Sequence, residues 1–149
     1  MPGYKVHLTG GAVLAAGAFT GAFFLGLYKP DLFSGAALLA TACLAALFPD
    51  VDTSSKGRGL FYGILAVVDI GLMIMGQWQW AAVVGLVAML PALDNHRGWT
   101  HTWWAMLLVP AVILGAAHFA LHPSVRVLLP FYGAAVVGYF SHLALDREF

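Results

Sequence analysis

Charge is scarce in this chain. Seven acidic and seven basic residues make up 9% of its 149 positions, where a water-soluble domain carries about 25%. The two signs cancel, so the basic footprint of a nucleic-acid binder is missing and no nucleic-acid partner is expected. There is one cysteine, Cys43, which excludes an internal disulfide. It lies inside an apolar run, where a thiol packs rather than ionises. Alternation of apolar and polar residues is also missing, which argues against a membrane β-barrel. No linker, low-complexity tract or clear repeat breaks the chain into parts, so residues 1–149 read as one domain.

What is present is hydrophobic length. Apolar residues make up 61% of the chain and the mean hydropathy is +0.85. A bilayer core needs about 20 apolar residues per helix. Six segments meet or approach that length: about 8–28, 32–48, 59–76, 78–93, 100–121 and 125–145. The fold class is therefore all-α, an integral membrane bundle of about six transmembrane helices with short antiparallel connections. The first segment is longer than the apolar core of a signal peptide and is read as retained. Gly17 with Gly21, and Gly59 with Gly63, are spaced for close helix packing. Trp78, Trp80, Trp99, Trp103 and Trp104 stand at segment ends, as interfacial tryptophans do. Gly17 and Gly21 also leave room for a homo-oligomer.

With six spans, Lys5, Lys56, Arg58, Arg97 and Arg147 share one side, against Lys29 and Arg126 on the other. Positive residues favour the cytoplasm, so both termini are expected there, in a multi-pass protein of the inner membrane. The same side collects His7, Asp50, Asp52, Asp94, His96, Arg97, His101, His142 and Asp146. His118 and His122 fall on the opposite side and are left out of the site. Asp69 lies mid-span and is read as structural.

Imidazole with carboxylate is a ligand set for zinc, iron or manganese. His142 and Asp146 are four apart and share a helix face. Asp50 and Asp52 lie in a turn around Pro49. His96 and His101 flank "RGWT", and Thr100 is placed to cap the following helix, which would bring His101 into its first turn.

The stretches "LFPDVD" with "GRG", "HRGWTHT" and "GYFSHLALD", together with His7 and Gly11, resemble the YdjM-type inner-membrane metal-dependent hydrolases. Their order and spacing match across nearly the whole chain. That family is regarded as related to the zinc-dependent phospholipase C and nuclease P1 group. The resemblance implies a hydrolase, more loosely a phosphoesterase. It implies a metal-binding set of His7, Asp50, Asp52, His96, His101, His142 and Asp146. Seven ligands exceed one tetrahedral zinc, so two or more divalent ions are expected, with manganese or iron as alternatives to zinc. In the expected mechanism the ions acidify a bound water, Asp50 or Asp52 takes its proton, and Arg97 steadies an anionic oxygen. A membrane lipid or lipid-linked phosphate is the expected substrate. The alternatives are a metal-ion transporter and a structural membrane protein tied by its ion.

Overall fold

In a bilayer core the backbone must satisfy its own hydrogen bonds, and continuous apolar runs do so as helices. The computed structural model describes residues 3–52, 56–89 and 99–146, with the side chains of Asp52 and Ala120 outside the description. The described residues form six α-helices and no strand: α1 (Tyr4–Phe24), α2 (Leu32–Leu47), α3 (Lys56–Ile74), α4 (Trp78–Met89), α5 (Trp103–Leu121) and α6 (Val125–Asp146). Two 3-10 turns, Phe48–Asp52 and Trp99–His101, follow α2 and precede α5. Four apolar stretches are long enough to cross a membrane: Tyr4–Phe24, Leu32–Val51, Lys56–Ile74 and Val125–Asp146. The shorter apolar helices are Trp78–Met89 and Trp103–Phe119.

The first helix starts earlier than the hydropathy predicts. Gly3 is extended (φ −81°, ψ 164°) and serves as its N-cap. His7 therefore sits on the helix rather than before it, with its amide bonded to the Gly3 carbonyl. Gly26 (φ 69°) and Gly76 (φ 72°) take left-handed conformations just after α1 and α3, where a side chain would be strained.

Helices α1, α2 and α6 pack on one another, α3 packs on α4, and α5 bridges α4 and α6. Small residues make the first group tight: Ala15, Ala42, Ala46 and Ala134 are fully buried. The closest approaches occur at two other glycines than the sequence suggests. A Cβ on Gly11 would lie 2.7 Å from the Ala46 Cβ, and one on Gly138 would meet the backbone of Ala42. Gly17, Gly21, Gly59 and Gly63 have nothing within 4 Å of such a Cβ. Spacing finds glycine pairs, but helix rotation decides which ones face a neighbour.

The outer surface is apolar. Phe24, Leu32, Phe33, Ile74 and Phe119 are 81–93% exposed. Lipid tails solvate such side chains at no cost, whereas water would drive them together. Trp78, Trp103 and Trp104 are also exposed, at the starts of α4 and α5.

Asp31 caps α2, accepting from the amides of Phe33 and Ser34 and from the Ser34 hydroxyl. The Ser34 amide and hydroxyl hold its carboxyl below its ordinary value. A carboxyl with a lowered folded pKa adds stability that is present above the unfolded value of about 3.9 and fades as pH falls through the folded one. Asparagine caps without titrating. The melting temperature of wild type should therefore drop relative to Asp31→Asn as pH falls below about 4. The other carboxyls titrate in both proteins and cancel in the difference.

Candidate metal centre

Antiparallel packing brings the first turns of α1 beside the last turns of α6. That places His7 against His142 and Asp146. The 3-10 turn after α2 adds Asp50, and the turn before α5 adds His101. Four separate stretches of chain thus deliver five donor side chains to one end of the bundle.

The His7 Nε2 lies 3.4 Å from Asp146 Oδ1 and 4.0 Å from Asp50 Oδ2. The His142 Nε2 lies 3.4 Å from Asp146 Oδ2 and 3.7 Å from Asp50 Oδ1. The His101 Nε2 is 3.5 Å from Asp50 Oδ1. One ligand atom from each of Asp50, His101, His142 and Asp146 falls within a common 4.8 Å. The rings of His7 and His142 stack at 4.0 Å.

These spacings are long for hydrogen bonds, whose N···O distance is about 2.9 Å. They suit ligands around one ion. Four donors at about 2.0–2.1 Å from a tetrahedral centre stand roughly 3.3–3.4 Å from each other.

The hydrogen bonding of His142 sharpens the point. Its Nδ1 is 2.8 Å from the Ala46 carbonyl. A carbonyl can only accept, so Nδ1 carries the proton and the neutral ring turns the lone pair of Nε2 toward two carboxylates. Acceptor then faces acceptor unless a proton or a cation lies between. Both oxygens of Asp146, both ring nitrogens of His7 and the Nε2 of His142 are buried without a hydrogen-bond partner. Orphaned groups of this kind are costly in a protein interior. The two carboxylates carry a charge that one divalent cation balances. The donor set, its orphaned atoms and its spacing fit a divalent metal, and the Nδ1–carbonyl bond is the usual outer support of a histidine ligand.

Exposure gives the site a direction. The Asp146 side chain is 1% exposed and that of Asp50 25%. Asp146 is the floor and Asp50 the open edge.

Five of the seven expected ligands converge: His7, Asp50, His101, His142 and Asp146. Asp94, His96 and Arg97 lie outside the described residues, as does the Asp52 side chain. Thr100 does not cap α5. That role belongs to Thr102, whose hydroxyl accepts from the Ala105 amide, because the 3-10 turn carries the chain two residues further before the helix begins. His101 consequently lies in the turn, with Nδ1 3.3 Å from the Thr100 hydroxyl. Asp69 is remote from the site. It borders a cavity of about 130 Å³ between α3 and α4, and its Oδ1 is buried without a hydrogen-bond partner. His118 bonds the Pro123 carbonyl at the far end of α5.

Two supports were not foreseen from sequence. The Ala46 carbonyl is backbone and leaves no mark on residue identity. Tyr139 is buried and its hydroxyl donates to the Thr100 carbonyl, bracing the turn that bears His101. Its signal was available, since Tyr139 and His142 are three apart on one helix. Tyr139→Phe removes that bond, which costs about 0.5–1.5 kcal/mol. Metal affinity should fall by about 10–100-fold, as for other outer supports. Competition titration with a fluorescent chelator reads the change.

The description YdjM inner membrane protein belongs to the family model that matches residues 4–147. The match spans nearly the whole chain, and the protein belongs to this family. No curated protein and no solved structure matches it.

Proposed function

We propose that this member of the YdjM inner membrane protein family is a metal-dependent hydrolase that cleaves a phosphoester of a lipid or lipid-linked substrate. The observation that carries the reading is the convergence of five buried or half-buried donors, with the ring nitrogens of His7, the Nε2 of His142 and both oxygens of Asp146 buried without a hydrogen-bond partner and a single carboxylate at the open edge.

His101, His142 and Asp146, with Asp50 at the open edge and His7 beside them, would hold a divalent metal, zinc being an ion that suits imidazole and carboxylate donors. Such an ion supplies Lewis acidity and lowers the pKa of a coordinated water toward neutrality. The chain's own residues do the rest. Asp50, the most accessible donor, is placed to accept a proton at its carboxylate. His142 is locked by Ala46 so that Nε2 always faces inward. Arg97 is offered as the group that steadies a phosphate oxygen. Asp52 and His96 are the proposed ligands of a second ion. The excess of basic residues at this end supports its lying, with both termini, on the cytoplasmic side.

The same donors would suit a transporter, but a transporter needs a polar path onward. Beneath the site the described core is Phe48, Phe61, Tyr139 and Leu143, which favours hydrolysis.

The test pairs metal analysis of the purified protein with turnover of lipid and soluble phosphoesters. An active wild type and an Asp50→Asn variant about 10²–10⁴-fold slower, the range of a lost general base, support the reading. A metal-loaded protein that turns over no phosphoester leaves the ion a structural tie and overturns it.

A further inference from the structure

Directly below the candidate metal centre lies an apolar cavity of about 160 Å³. Phe48 and Tyr139 line its upper end, Thr41 and Phe131 its lower end, and Ile113 and Ala135 the wall between. Phe48 is two residues from Asp50, and Tyr139 three from His142. From Phe131 to Tyr139 is about 12 Å along α6. From Thr41 to Phe48 is about 10 Å along α2. The cavity therefore runs along the bundle, starting within one helical turn of the ligands.

Its polar groups are already committed. The Tyr139 hydroxyl donates to Thr100, and the Thr41 hydroxyl to the Ala37 carbonyl 2.8 Å away. Water needs two to four polar partners, so a cavity lined this way favours hydrocarbon over water. An empty one forfeits the dispersion contacts of its lining.

We propose that this cavity receives the first several methylenes of one hydrocarbon chain of the substrate, while the polar head group sits at the metal centre. The inference rests on the hydrolase reading for the head group and on the cavity alone for the tail. It makes the substrate a lipid whose chain enters the bundle rather than staying in the surrounding bilayer. Chains in the bilayer are already out of water, so the preference comes from filling the void and from tethering by the head group, not from hydrophobic transfer.

The experiment uses the metal-loaded full chain in lipid nanodiscs. The probe is a dodecylphosphonate, which is not hydrolysed, bearing a photoreactive diazirine midway along the chain. Peptide mass spectrometry maps the adducts. Adducts on Ile113, Phe131 or Ala135 are expected at least about tenfold above those on the lipid-facing Ile74 and Phe119. Excess unlabelled dodecylphosphonate should compete them away, and Ala135→Phe or Ile113→Trp, chosen by unchanged melting, should abolish them. Labelling confined to outward-facing residues, or unchanged in both filled variants, overturns the proposal. A His142→Ala protein separates the two readings. If cavity labelling persists there at full strength, the cavity binds chains but the metal centre does not anchor the head group, and the hydrolase reading loses its support while the chain site stands.

Discussion

In a His142→Ala protein, tightly held divalent metal falls to background, and added metal no longer raises the melting temperature. His142 supplies an Nε2 whose orientation is set by a backbone bond, from Nδ1 to the Ala46 carbonyl. It also stacks on His7 and lies within 3.7 Å of both carboxylates. Its removal deletes a ligand and frees a neighbouring ring. Loss of an outer support alone costs about 10–100-fold in affinity, so loss of the ligand should cost more. A ligand present at about 100 times its dissociation constant stabilises a fold by about 2.7 kcal/mol. Wild type should show that gain and the variant should not. Elemental analysis after gel filtration, with melting curves with and without chelator, reads both effects. His118→Ala is the control, since His118 lies at the far end and bonds Pro123. Equal metal in His142→Ala and wild type would sink the site.

The second large effect is steric. Gly138→Ala should cost about 1–3 kcal/mol or more, the scale of overpacking a dense interior. The new Cβ would lie 2.7 Å from the carbonyl carbon of Ala42 and 2.8 Å from its Cα. Both are backbone atoms, so no rotamer change relieves the clash and α2 must move off α6. That movement reaches the metal centre, because Asp50 follows the end of α2 while His142 and Asp146 ride on α6. The bond from His142 to Ala46 crosses the same interface. Metal affinity should drop together with the melting temperature, although Gly138 touches no ion. Gly17→Ala and Gly63→Ala provide the contrast. Both positions open onto free space, and alanine in a helix interior is favoured over glycine by up to about 1 kcal/mol. Those variants should melt at the wild-type temperature or above. A Gly138→Ala protein as stable as Gly17→Ala would mean that α2 and α6 do not pack as described.

The two effects differ in how visible they were beforehand. His142 and Asp146 announce themselves, because a polar pair four apart stands out in an apolar helix. Gly138 does not, since nothing in its identity separates it from Gly17 or Gly63. Tyr139 and the Ala46 carbonyl lie between these cases, one detectable by helical spacing and the other not at all.

Composition alone determined that the chain is helical and apolar on the outside, since a chain this poor in charge can satisfy its backbone in lipid only within its own segments. Alternation of the spans also determined that His7, Asp50, His101, His142 and Asp146 share one end. Only the tertiary structure decided that their atoms come within 3.4–4.0 Å of each other. That closeness depends on how each helix is rotated about its axis, and on glycine and alanine contacts between segments far apart in the chain. Uniformly apolar helices leave that rotation unmarked, because polarity differs little from face to face and packing alone selects the side that turns inward.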